Sequence, residues 1–263
     1  MKKYELTGES IVHLGKKLFR IKALVDFCNI KAGDLGGFIE NENNLSHTGN
    51  AWVFDNAKVW GNAKVCGDAW VFDNAKVWGN AKVCGDAWVS GDAKVSGDAK
   101  VSGNAWVCGN AKVFDDAKVF GDAKVFDDAW VCGNAEVFDD AEVFDDAKVS
   151  GDAKVSGDAW VSGDAVVSGD AKVFGDAKVY GHAWVCGNAV VCDDADYATI
   201  KGFGTVFRTT TFFRCADNSI KVSCGCFLGT LDEFRKQVRA TRTGKIAEEY
   251  LMIADLMEKH FMS

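Results

Sequence analysis

The stretch AWVFDNAKVWGNAKVCGD occupies residues 51–68, and residues 69–86 repeat it letter for letter. Inside each copy a unit of six recurs, written x1-x2-Ala-x4-Val-x6. Alanine returns at every sixth position from Ala51 to Ala195, and valine at every sixth position from Val53 to Val191. The piece Ala-x4-Val-x6 alternates small apolar, variable, apolar, variable, so it reads as a short strand with alanine and valine facing inward. The pair x1-x2 is the corner. Position x1 is glycine or aspartate, and x2 is aspartate, asparagine or, once, His182. These x2 types tolerate the left-handed backbone best among non-glycine residues, which places the positive φ at x2. Strand and corner repeated without a break make a solenoid rather than a globule.

Composition agrees. The 263 residues include 28 glycines, 10 cysteines and no proline. A chain without proline suits a backbone whose N–H groups are nearly all used in ladders. A valine in every repeat and aromatic residues in many argue against low-complexity disorder, because such a chain has apolar surface to bury. Residues 51–194 hold 13 lysines against 24 aspartates and glutamates, a net of −11, the wrong sign for reading a phosphate backbone. No secretory signal and no run of eighteen apolar residues is present, so the expected location is cytoplasmic, with neither membrane nor nucleic acid as partner. In that reducing setting the cysteines are expected as free thiols. Cys66 and Cys84, eighteen apart, would nevertheless stack at a separation a disulfide can span.

Read from valine, units such as VSGDAK and VCGNAK resemble the hexapeptide repeat of left-handed parallel β-helices, in which three hexads make one triangular coil. The resemblance covers the 24 consecutive hexads of residues 51–194 and implies eight coils of eighteen residues. Handedness comes from the resemblance alone. At that spacing the x4 residues of the first face are Trp52, Trp70, Trp88 and Trp106, then Lys124, Glu142, Trp160 and Lys178. The second and third faces carry mostly lysine. The expected fold is therefore an all-β solenoid about 38 Å long in its regular part.

Open sheet edges need caps. Residues 1–48 read as an N-terminal β cap with a hairpin turning near Gly15, and Leu45 falls at the alanine phase of the hexad. Residues 49–197 form the repeat domain. Residues 198–263 read as a small α+β domain: a hairpin at ADNS, a helix starting at Leu231 behind the Thr230/Glu233 capping-box pair, and a second helix burying Ile246, Tyr250, Ile253, Ala254, Met257 and Phe261. LFRIKAL, KAGDLGGFIE and NLS followed by GNAWV are similar to the start of uncharacterised, acetyltransferase-like repeat proteins of bacteria, phages and prophages. CGCFLGTLDEF followed by EEYL resembles a C-terminal module of such phage proteins.

Two functional expectations follow. In the first, the chain is a non-enzymatic binding or assembly module without cofactor. Its contact surface is the first-face aromatic column of Trp52, Phe54, Trp70, Phe72, Trp88 and Trp106, and self-stacking of those rings is the competing explanation. The resemblance implies a homo-oligomer, a trimer above all, and a host or phage protein is the other partner considered. In the second, the chain is an acyltransferase binding acyl-CoA, with His182 as the one histidine inside the repeats. Twenty-four hexads without an insertion leave no loop for a substrate pocket, which favours the first. No metal site is expected: one repeat histidine cannot supply a three-histidine zinc site, turn formation explains the acidic corners without calcium, and Cys215, Cys224 and Cys226 read as packed thiols.

Overall fold

The computed structural model describes residues 2–262, so the outermost residues of the two terminal segments, Met1 and Ser263, lie outside it. Three strands open the chain: β1 (Tyr4–His13), β2 (Lys16–Ala23) and β3 (Leu35–Ile39). Then come 24 strands of two residues each, from β4 (Trp52–Val53) to β27 (Val190–Val191), each made of one x4 residue and its valine. They stack at intervals of eighteen residues into three parallel sheets. Trp52 pairs Trp70, Lys58 pairs Lys76 and Lys64 pairs Lys82. The molecule is thus a parallel β-solenoid of eight three-sided coils.

The core follows from the alternation. Every repeat alanine from Ala51 to Ala189 and every repeat valine is buried, forming one continuous cluster down the axis. Each buried valine contributes roughly 1.5–3 kcal/mol, and three per coil make the coil a stable increment. The ladder also extends beyond the two-residue strands. N–H groups at x4, x6 and x2 donate to the x3, x5 and x1 carbonyls of the following coil, as Trp70 to Ala87 (2.9 Å), Phe72 to Val89 (3.0 Å) and Asn74 to Gly91 (3.0 Å).

The corner differs from its sequence reading. Positive φ falls on x1, at every such residue from Asp55 to Gly187, and x2 does not adopt it. A four-residue turn closes where the Ala57 N–H donates to Phe54 O (3.0 Å), with Asp55 (φ 49°) as its first central residue. Glycine is favoured there twice over. It takes positive φ without cost, and a Cβ on Gly85 would lie 2.9 Å from the Gly103 nitrogen one coil on. Where aspartate stands at x1, its carboxylate can offset the strain. Asp73 Oδ2 accepts from Gly91 N–H (3.0 Å) and Asp145 Oδ2 from Gly163 N–H (3.0 Å), donors otherwise left to solvent.

The N-terminal cap continues the second-face sheet: β1 pairs β2, β2 pairs β3, and β3 runs parallel to the strand at Lys58–Val59, with Ile39 opposite Val59. Leu45 bridges Val65, not Ala63, so it occupies the valine phase rather than the alanine phase expected. Leu45 and Val53 stand eight positions apart where the repeat spaces its valines by six, and those two extra residues shift the phase.

At the other end a 3-10 turn (Asp194–Asp196) leads into four antiparallel strands, β28 (Tyr197–Phe203), β29 (Arg208–Arg214), β30 (Ile220–Cys224) and β31 (Phe227–Thr230), and two helices, α1 (Leu231–Thr241) and α2 (Gly244–Phe261). The alternation of β29 divides the work. Phe213, with Cys215 just beyond it, joins the solenoid core, while Phe212 joins the cluster of Phe234, Val238, Ile253 and Met257 on the helices. The sheet is a lid with the coil end on one side and the helix pair on the other. Thr230 caps α1 by accepting from Glu233 N–H (3.3 Å), and Glu233 returns the bond to Thr230 N–H (2.7 Å).

Candidate functional site

The first-face aromatic column exists, but its members are not equivalent. Trp52 is 0 % exposed, so it is no part of an accessible surface. Phe27 and Tyr4 of the cap pack edge-on against it at 5.3 and 6.1 Å. Trp70, Trp88 and Trp106 stack nearly parallel, with centroids 5.5 and 5.0 Å apart. Phe54 and Phe72 reach diagonally to the next coil and meet Trp70 and Trp88 edge-on at 5.3 and 6.0 Å. Exposure rises along the column, reaching 45 % at Trp106. Stacked rings cover one another's faces and leave their edges outward, so the surface offers an apolar ridge rather than flat platforms. The ridge ends at a charged pair, Lys124 Nζ to Glu142 Oε1 at 2.8 Å.

A second indole stack, Trp60 on Trp78 at 5.1 Å, lies at x6 of the second face, where His13 packs edge-on against Trp60 and the cap buries it. Cys66 and Cys84 are joined as a disulfide with Cα atoms 4.7 Å apart, which corrects the expectation of free thiols there. Parallel register places two x6 cysteines at the separation the bond requires. The other eight cysteines are free.

His182 sits at x2 of a corner whose positive φ belongs to Gly181 (φ 69°), so the left-handed explanation for that histidine does not apply. Its Nδ1 lies 3.0 Å from Asp164 Oδ2 of the preceding coil, both side chains being about half exposed. The groove beside this pair, about 330 Å³, is lined by Asp128, Asp146, Asp164, Lys112, Lys148 and the Trp130 ring. Lys112 and Lys148 sandwich that ring at 4.1 and 5.3 Å. A longer groove of about 660 Å³ on the third face runs between an x2 row that includes Asp98 and Asp116 and an x4 row that includes Lys100 and Lys118. Within it Glu136 joins Lys118 (2.7 Å) and Lys154 (2.8 Å), and those hydrogen bonds hold its carboxyl below the usual range. These grooves balance opposite charges along their length and bring no acid, base and nucleophile together.

Among the described residues no group of three or more histidine, cysteine, aspartate or glutamate side chains is arranged to hold a metal. Cys215 belongs to the solenoid-side core, whereas Cys224, paired opposite Thr210, packs with the helix-side cluster. No protein-family model matches the chain, and no curated protein matches it. Among the described residues no helix is long and apolar enough to cross a membrane.

Sequence reasoning missed the residues that finish the solenoid ends. Lys3 is buried, and its Nζ donates to Gly49 O (3.1 Å) and Ala51 O (2.7 Å). Burial pulls its pKa down to about 8, although Asp68 pulls the other way. Asn44 Nδ2 does the same for Gly61 O (3.0 Å) and Ala63 O (2.8 Å). A lone lysine and a lone asparagine before the repeats carry no periodic signal of that role.

Proposed function

We propose that the chain is a non-enzymatic, rigid binding or assembly rod whose contact ridge is the exposed part of the first-face column, Trp70, Trp88 and Trp106 with Phe54 and Phe72 beside them. One observation carries this reading. An uninterrupted rod, covered at both ends, buries its first tryptophan completely and leaves the last of the stack 45 % exposed. Aromatic edges of that size at the surface are the usual anchors of protein contacts. Self-association into a trimer is the favoured form, following the hexapeptide-repeat resemblance, as does encoding by a phage or prophage. A host or phage protein is the other partner the ridge fits. A cytoplasmic location suits the eight free cysteines, and the Cys66–Cys84 bond opposes it, so the redox state of that pair in protein purified without reductant bears on location.

Sedimentation tests the proposal. The wild type should run as an oligomer at concentrations on the order of tens of micromolar. Trp70→Lys combined with Trp88→Lys should dissociate it while the far-ultraviolet β signal is retained. A wild-type monomer throughout that range overturns self-association, and loss of the fold in the variant assigns the stack to internal support.

The alternative, an acyltransferase using acyl-CoA, draws on the His182–Asp164 pair, because a histidine base needs an orienting carboxylate. Calorimetry with acetyl-CoA separates the two readings. Saturable micromolar binding that His182→Ala abolishes would favour the enzyme.

A further inference from the structure

The C-terminal domain holds a pocket unrelated to the aromatic ridge. Its volume is about 120 Å³, room for roughly four water molecules, and it lies between the β28–β29 turn, the β30–β31 turn and the two helices. Phe227, Phe234 and Val238 supply the apolar part of its wall. Arg208 and Arg242 also line it, and no carboxylate does.

Of the six arginines, Arg208, Arg239 and Arg242 meet no carboxylate among the described residues, and of these only Arg208 and Arg242 line the pocket. Arg20, Arg214 and Arg235 each meet a carboxylate, at 2.9, 3.1 and 2.8 Å. The Arg208 guanidinium has neither hydrogen bond nor ion pair among the described residues, and the Arg242 guanidinium donates only to the Thr241 carbonyl, at 3.3 Å. Both guanidiniums act on the Tyr250 phenol, which burial raises and they lower, so both lie within electrostatic reach of one wall of the pocket. Two glycines shape that wall. A side chain at Gly225 would collide with the Arg208 guanidinium, and one at Gly204 with the Tyr250 hydroxyl. Gly225 and Gly204 both adopt positive φ (62° and 74°), so each turn is bent where a side-chain-free backbone lets the arginine or tyrosine close in.

We propose that this pocket binds a phosphate-sized oxyanion, either free phosphate or the head of a phosphomonoester, held between Arg208 and Arg242. Two unpaired guanidiniums match a dianion in charge, and their fixed donor forks match its oxygens in geometry. Gln237 and Thr241 on α1 add polar groups at the rim. The site is independent of the rod's contact ridge, and either can fail without the other.

The experiment is isothermal titration of the full-length protein with inorganic phosphate, with O-phosphoserine and with acetate, at fixed ionic strength. Saturable binding of phosphate or O-phosphoserine is expected, with acetate much weaker. The tighter of the first two identifies the source. Arg208→Gln and Arg242→Gln should each weaken binding by roughly tenfold or more, and Arg239→Gln, on α1 but outside the pocket, should leave it unchanged. If Arg208→Gln fails to fold, Arg208→Lys keeps the charge, loses the fork and should weaken binding by less. No saturable heat up to about 10 mM overturns the site. So does acetate binding as tightly as phosphate, or an equal loss in Arg239→Gln, which would reduce the effect to diffuse positive charge.

Discussion

The two ends of the solenoid are finished with opposite chemistry. In each hexad the N–H groups of x2, x4 and x6 point toward the next coil, so the first coil is left mainly with bare carbonyls and the last mainly with bare N–H groups. The N-terminal cap accordingly brings donors. Lys3 serves the first face, the backbone of β3 the second (Phe38 N–H to Ala57 O, 2.9 Å) and Asn44 the third. The C-terminal side brings acceptors. Asp194 Oδ1 takes Lys178 N–H (2.9 Å), Thr211 Oγ1 takes Trp184 N–H (3.0 Å) and Asp196 Oδ2 takes Cys192 N–H (2.9 Å). A parallel coil therefore has a direction, and its caps cannot be exchanged. A sheet edge left open is an invitation to pair, and here each end invites only its complement.

Removing the caps should give the largest effect. A chain lacking residues 1–48 bares carbonyls, and one lacking residues 193–263 bares N–H groups together with the core that Phe213 covers. Each alone meets its own kind across an edge of like groups. Mixed in equal amounts they should join head to tail, so light scattering and sedimentation should show larger species in the mixture than in either sample. Mixing without any growth in size would break the comparison.

Next in size are the buried donors. Lys3→Met leaves two carbonyls unpaired, at roughly 1–3 kcal/mol each, less whatever burial of the ammonium costs. The sign with pH is fixed by a pKa lowered from 10.5 to about 8. Between those values the unfolded chain holds the proton that the folded chain has lost, so folded stability rises with pH. The gap between wild type and Lys3→Met should widen by up to about 3 kcal/mol across that window in denaturant titrations. Tyr4, held above its usual range by burial and by Glu42, gives the opposite slope above pH 10 in both chains and cancels in the difference. A constant gap would mean that the amine is not desolvated.

The C-terminal counterpart responds to acid instead. Burial pushes the Asp196 carboxyl up. Hydrogen bonds from the Cys192 thiol and N–H and from Arg214, with the charge of that guanidinium, outweigh it, and the group sits below the ordinary 3.8. Its contribution is therefore present above pH 3.8 and is lost as pH falls through the lower folded value. Asp196→Asn should cost about 1–3 kcal/mol at pH 7 and flatten the acid limb of the stability profile. An acid limb unchanged in the variant would place the acid sensitivity elsewhere.

Most of the interior was legible because it is periodic. Alanine and valine every six residues specify strand, corner and core, and the exact copy of eighteen residues specifies the coil. The corner's inner geometry was misread because aspartate shares x1 with glycine, which hid the plain preference of glycine for positive φ. Asp73, Asp115 and Asp145 add a carboxylate bond to the next coil, a contact that exists only after stacking, while among the described residues Asp55, Asp127 and Asp139 adopt the same backbone without one. The ends were less legible for a physical reason. Lys3, Asn44 and Thr211 act once each, across distances the chain order does not reveal, and Trp52 looks like its column mates until the cap covers it. Arg208 and Arg242 stand far apart in the chain, and only the folding of two turns onto α1 and α2 brings them to one pocket.

The smallest predicted effect separates ends from interior with one residue type. Asn80 lies on a corner ladder, accepting from Asn62 Nδ2 (3.0 Å) and donating to Asp98 Oδ1 (2.9 Å), all exposed. Water replaces both bonds when the side chain is removed, so Asn80→Ala should cost less than about 1 kcal/mol. Asn44, fully buried, donates to two carbonyls that have no other partner, and Asn44→Leu should cost roughly 2–3 kcal/mol. Denaturant midpoints of the two variants measure the ratio directly. Equal losses would mean that the corner ladders, and not only the caps, carry the stability of the rod, and the asymmetry between its ends would then matter less than its regular interior.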